Sequence, residues 1–204
     1  MVGENNWFAT ESGQRLAADA AHRSEPWLSH FAGHNALVLQ PCTQGLVIPR
    51  LQCQPLIRLE RANQRFYGDF HAEDCNLPLA SDCLALIFAM FVLESSPQPD
   101  QLIDEFERML LAEGHLALLT LNPNSPSRLT GKWRGLGLKS ATDWINCLNN
   151  AGFELLRHER IGEIYRPQGL RSVNFLLARK RRLTFTTIRK HTNAVSLVRE
   201  PSAS

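Results

Sequence analysis

The residues of this 204-residue chain whose types and spacing suit ligand chemistry are three acids, one loop and two histidines. Glu60 closes the apolar stretch LIRLE, and a carboxylate there accepts two hydroxyl hydrogen bonds in good geometry, as the ribose-binding acid of dinucleotide folds does. A plain surface acid is the competing reading, because RANQRF leaves little room for a full helix before the next acids. Glu73 and Asp74 follow in HAED, just ahead of Leu77-Pro78; alone, the motif reads as a solvated acidic turn. The stretch HNALVLQPCTQG, residues 34–45, has the outline of a strand entering a cofactor-cradling loop. Gln40, Cys42 and Gln44 nevertheless put side chains where backbone would have to approach a ligand, and Gly45 is its one glycine. His71 lies in a loop where it could act as a base, with an ordinary loop histidine as the bland alternative. His115 opens a strand at the end of the sheet away from the carboxyl ends, which argues against catalysis. The five cysteines form no CxxC pair and show no metal-ligand spacing, so they read as free thiols.

The elements that must position these residues follow from hydrophobic periodicity. Short apolar runs at 36–39, 56–59, 65–70, 84–90 and 116–121 alternate with helical patterns, which argues for a parallel sheet with crossover helices. A helix is expected within 12–31, broken or kinked by Pro26 and ended by Gly33. A second covers PDQLIDEFERMLLAEG, with Gly114 at its C-cap, and a third covers SATDWINCLNNAG, opened by the Ser140–Asp143 capping box and closed at Gly152. FELLRHERI and SVNFLLARK alternate as a terminal strand pair. The segment after the first loop, LVIPRLQCQP, is interrupted by proline, so its helix is short or absent.

With 44% hydrophobic residues the chain suffices for one core: a single domain over 1–179, including a helical lead-in at 1–33, then a basic, mobile tail at 180–204. Residues 179–204 carry a net +6 against +2 for the whole chain, leaving the body at −4. The longest apolar run, Cys83 to Leu93, has eleven residues, well short of the roughly 20 needed for a membrane-spanning helix. With no apolar leader at the N-terminus, a cytoplasmic location is expected.

The stretch from Glu73 to Asn124 resembles the class I S-adenosylmethionine-dependent methyltransferases, particularly the small bacterial ones. The likeness lies in an ordered series: an acid, Leu77-Pro78, Asp82 before a strand, Leu93-Glu94 after it, an amphipathic helix, Glu113-Gly114 and a further strand. WINCLNNAGFELL resembles the family's late helix entering its sixth strand. The resemblance implies an α/β fold with a Rossmann-like, seven-stranded, mostly parallel sheet, an antiparallel last strand and helices on both faces. S-adenosylmethionine would lie across the carboxyl ends of the early strands. It gives Glu73 the adenine amino group, with Asp74 as the fallback if the register slips by one, and Glu60 the ribose. Phe88, with Met90 and Phe91, falls where the family packs the cofactor, although plain core is the commoner role. Against the family's acid-x-Gly-x-Gly-x-Gly, Val38 stands at the acid, Gln40, Cys42 and Gln44 stand at the glycines, and Gly45 comes one position late. Ser95 replaces the histidine of the family's Leu-Glu-His.

The function so implied is in-line methyl transfer to a small or medium acceptor, which needs orientation more than any fixed catalytic residue. A methyltransferase-like domain acting as a partner or scaffold is the alternative that the altered first loop favours. An RNA-directed enzyme is another, drawn from Arg128, Lys132, Arg134 and Lys139 in an acid-free loop and from the basic tail. Asn122-Pro123 lies after the wrong strand to be an amino-methyltransferase motif and reads as a turn.

Overall fold

The computed structural model describes residues 7–42, 47–165 and 170–181. Eight strands form one mixed sheet: β1 (His34–Gln40), β2 (Gln54–Ala62), β3 (Arg65–Gly68), β4 (Ala72–Glu73), β5 (Leu84–Met90), β6 (Leu110–Leu121), β7 (Phe153–Tyr165) and β8 (Leu170–Lys180). Their order is β4-β3-β2-β1-β5-β6-β8-β7. Strands β2, β1, β5 and β6 pair in parallel, while β3 and β8 run against their neighbours. The expected count of seven is exceeded because RFYG turns back on β2 as a hairpin and Ala72–Glu73 adds a short edge strand.

Each central strand is apolar on both faces, as strands covered on two sides must be. Leu37, Leu39, Ile87, Ala89, Leu116 and Leu118 face a core with α2 (Pro99–Met109) and α3 (Ala141–Asn150). Val38, Phe88, Met90, Ala117 and Leu119 face the opposite core, with α1 (Glu11–Leu28). Pro26 lies inside α1 and neither breaks it nor ends it; the helix runs on to Leu28. Of the segment between β1 and β2, residues 47–53 form neither helix nor strand, while residues 43–46, with Gln44 and Gly45, lie outside the described part.

Helix α2 stops at Met109, five residues before the expected glycine cap. Leu110 turns extended, becomes fully buried and pairs with Leu84, so burial against the sheet overrides continued helix. The residues up to His115 form a bulge, with Glu113 at φ 67°. The α3 capping box forms as expected, with Ser140 Oγ accepting from the Asp143 N–H and the Asp143 carboxylate accepting from the Ser140 N–H. Among the described residues no helix is long and apolar enough to cross a membrane.

Candidate functional site

In an open α/β sheet, ligands bind outside the carboxyl ends of the strands where the strand order reverses. Here that switch point lies between β1 and β5, whose partners β2 and β6 extend the sheet in opposite directions. The described chain fills it with its own side chains. Phe8 is 2% exposed and stacks on Phe91 at 4.9 Å between ring centroids, and its carbonyl accepts the Cys42 thiol at 3.6 Å. Phe91, the residue after β5, is fully buried and held at φ 53°, a left-handed conformation unusual for an aromatic residue.

Local sequence explains how Phe8 gets there. Thr10 caps α1 by accepting from the Gly13 N–H at 3.3 Å, and its hydroxyl donates to the Trp7 carbonyl at 2.6 Å. The turn Trp7–Ala9 is thereby folded back over the first turn of α1. It fits because position 13 is glycine; a Cβ there would run into the Trp7 carbonyl oxygen. Trp7 in turn meets Trp133 edge-on at 6.0 Å, joining the N-terminal turn to the loop after β6.

The residues singled out by sequence separate into two groups. Gln40 and Cys42 are buried at the end of β1, and Phe88 is wholly core on the α1 face. Val38 is also fully buried, so a carboxylate at its position would be strongly disfavoured; Gln40, two residues on, is the polar residue that reaches the rim on that face. The carboxylates stand apart from this plug. Glu60 is half-buried, pairs with Gln40 across the β1–β2 ladder and shares its face of the sheet. Glu73 pairs with Arg65, which pairs with Ala62, so it stands level with the carboxyl end of β2. Its side chain is 73% exposed and lies 3.6 Å from the Arg65 guanidinium.

Asp74 is committed elsewhere. It forms a buried ion pair with Arg61 and accepts the Ser96 hydroxyl at 2.5 Å. Arg61 also donates to the Ser95 carbonyl at 3.1 Å and lies over the Phe66 ring. Ser95, found where the family has histidine, therefore contributes backbone to a strap that ties β2 to the turn after β5. His71 sits in an exposed loop edge-on to Tyr67, and His115 packs on Phe31 at the amino end of the sheet, its pKa lowered chiefly by burial.

Glu94 is the residue whose importance the sequence understated. It is 2% exposed, one carboxylate oxygen accepts the Leu121 N–H at 2.6 Å, and the other has no protein partner. Burial pushes its pKa up to about 7, against the opposing pull of the Leu121 N–H. Its carbonyl accepts from the Gly137 N–H at 2.6 Å, pinning the loop after β6. The Leu-Glu match was a clue to register but not to burial, and nothing in the sequence marked Phe8 or Arg61.

A cavity of about 1070 Å³ lies away from the switch point, between the second half of α1 and β7, lined by residues including Asp19, Arg23, Trp27, Arg50 and Arg160. Arg23 is paired with Asp19 there, and the lining lacks a cysteine or serine nucleophile apart from Ser29. The strand-end geometry is the better guide to a cofactor site, because it follows from topology rather than from volume. Among the described residues no group of three His, Cys, Asp or Glu is placed to hold a metal ion.

Comparison with solved structures accounts for this arrangement of strands. A SAM-dependent methyltransferase from Aquifex aeolicus superposes with a TM-score of 0.59 at 12% identity, over 81% of this chain and 92% of its own. Geranyl diphosphate methyltransferase in complex with SAM gives 0.57 at 10% identity, over 84% and 92%. The fold is that of the S-adenosylmethionine-dependent methyltransferases. The [4+2]-cyclase SpnF is also similar, with a TM-score of 0.53 at 16% identity over 88% of this chain and 85% of its own, so the fold alone does not fix the reaction. No protein-family model matches the sequence, and no curated protein matches it.

Against S-adenosylmethionine, the two ends of the site differ. Glu60 and Glu73 are carboxylates at the carboxyl edge, able to accept hydrogen bonds from hydroxyl or amino groups. At the other end, Cys42 carries a side chain beneath Phe8, which removes the close backbone approach that glycine would allow.

Proposed function

We propose that the chain is an S-adenosylmethionine-dependent methyltransferase acting on a small or medium acceptor, with the nucleoside end of the cofactor held by Glu60 and Glu73. The observation that carries this reading is the placement of those two carboxylates on the carboxyl edge of one methyltransferase-type sheet, Glu60 one strand from β1 and Glu73 on the edge strand β4. Val38 stands where the family has the acid of its first motif, and Gln40 and Cys42 stand where it has glycines. When bound, the cofactor supplies an electrophilic methyl group; the chain's own part is to bind, orient and exclude water. Because the Phe8 ring stacks on Phe91 and the Phe8 carbonyl accepts the Cys42 thiol, the methionine end enters only when Phe8 leaves.

The seated Phe8 also favours a second reading, a methyltransferase-like domain that binds no cofactor and serves as a partner or scaffold. A thermal shift separates the two, since a ligand well above its Kd must stabilise the native state. The enzyme reading expects stabilisation by S-adenosylmethionine or its demethylated product, and a larger loss of binding for Glu73→Ala than for Asp74→Ala once the folded fractions are matched. No shift up to millimolar ligand leaves the scaffold reading.

A further inference from the structure

Loop 122–139, which follows β6 at the carboxyl edge, contains no acid. Lys139 is already committed, donating to Asp100 at 2.9 Å. Arg128, Lys132 and Arg134 are exposed and form no ion pair among the described residues. Elsewhere in the body Arg61, Arg108, Arg157, Arg179 and Lys180 each meet a carboxylate, while Arg58, Arg160 and Arg171, which meet none among the described residues, are spread over three strands. Three unmatched cations within seven residues, on a body whose net charge is negative, make a localised positive field.

The loop holds these side chains on a fixed scaffold. Trp133, between Lys132 and Arg134, is 3% exposed and packed against Trp7. Asn122 donates to the Arg171 carbonyl at 2.8 Å and accepts from the Asn124 N–H at 3.1 Å, and Gly137 is tied to Glu94. Gly131 and Gly135 turn the chain at φ 71° and 85° on either side of the anchored tryptophan.

We infer that this loop is a docking surface for the phosphodiester backbone of a nucleic acid. All three cations are exposed, whereas a small anion is held by groups converging inside a cleft. Exposed cations spaced along a loop suit an extended polyanion, whose binding releases counterions. An anionic membrane fits less well: Leu129, at 90% exposure, is the one strongly exposed large apolar side chain on the loop, and interfacial anchors bury a broad apolar face. The basic residues of the tail beyond 181 lie outside the described part. The docking does not rest on the methyltransferase reading, and it assigns no methyl acceptor.

The test is fluorescence anisotropy of a labelled single-stranded RNA of about 20 nucleotides with the full chain, titrated over a range of salt. The combined Arg128→Gln, Lys132→Gln and Arg134→Gln variant should lower affinity at least tenfold at low salt and make the log–log salt slope shallower by about 2, at roughly 0.7 per lost phosphate contact on a single strand. Neutralising Arg189 and Lys190 in the tail should leave that slope difference in place. An unchanged slope in the triple variant overturns the inference, and so does tighter wild-type binding to phosphatidylserine vesicles or to polyglutamate than to RNA. Lys132→Gln alone, expected to shift the slope by about 0.7, serves if the triple variant fails to fold. The cofactor thermal shift keeps the two proposals apart: RNA binding without it contradicts the enzyme reading alone, and the shift without loop-dependent RNA binding contradicts this inference alone.

Discussion

The two halves of the sheet are built differently. From β5 onward, strands and helices alternate, α2 and α3 bury Leu102, Ile103, Phe106, Trp144 and Leu148, and the helix starts are marked by Pro99 and the Ser140 capping box. From β1 to β4, the described part contains no crossover helix; a hairpin and an irregular, proline-punctuated connection stand instead, and α1 arrives from the N-terminus to cover the face. The late half is held by apolar packing against helices. The early half depends on a polar strap, Arg61–Asp74–Ser96, and on Phe8 wedged over Cys42. What the difference teaches is that a sheet of this strand order holds its early strands with a hairpin and a polar strap where its late strands use packed helices.

Variants can break or sharpen that contrast. Trp144→Ala, which empties a fully buried site between α3 and the core, should destabilise by about 3–5 kcal/mol in urea unfolding, the largest effect expected. In the early half, Arg61→Ala leaves the Asp74 carboxylate buried without its partner and should cost roughly 3–5 kcal/mol. Restoration of much of that stability by Arg61→Leu with Asp74→Leu would show that the charge left unpaired, rather than the ion pair itself, dominates the loss.

Glu94, in the late half, ties the turn after β5 to the end of β6 and should make stability depend on pH. In the unfolded chain it titrates near 4.5, and in the fold near 7, raised by burial. Its contribution is therefore fully present below the unfolded value, lost progressively as the pH rises from 4.5 through 7, and gone above that. The loss is on the order of 3 kcal/mol. Denaturant unfolding from acid to neutral pH should show this fall in the wild type and not in Glu94→Gln, which should be the more stable of the two above neutrality. Smaller again, Ser140→Ala removes the α3 cap and should cost about 1 kcal/mol. Glu73→Ala breaks only an exposed pair and should change stability by less than about 0.5 kcal/mol, so a loss of ligand binding in this variant is separable from unfolding.

What could be read in the sequence follows the same division. Strands β1, β2, β5 and β6 and helix α3 were legible because their apolar spacing is set by burial on known faces, and Ser140 and Asp143 carry their cap in the chain itself. The end of α2 was not, because Glu113-Gly114 looks like a helix terminus while long-range pairing of Leu110 with Leu84 decides the matter. Pro26 misled for a similar reason: packing of Leu28 against the sheet carries the helix past it. Glu60 and Glu73 read in the sequence as acids at strand ends, and in the fold they stand level with the carboxyl ends of β1 and β2. Asp74 and Phe88 differ from free ligands in ways that only tertiary structure reveals, since the partner of Asp74 is thirteen residues away and Phe88 lies wholly inside the core. Phe8 carried no signal at all, because its place depends on a fold-back that Gly13 permits and on a neighbour, Phe91, far along the chain.

The central claim is that the carboxyl edge still binds the cofactor and that Phe8 occupies the place of its methionine end. Calorimetric titration of S-adenosylmethionine into the wild-type chain and into Phe8→Ala tests it most directly. The account predicts saturable binding by both, tighter in Phe8→Ala because the side chain no longer has to leave. Absence of binding in both proteins, with each still folded, would contradict it.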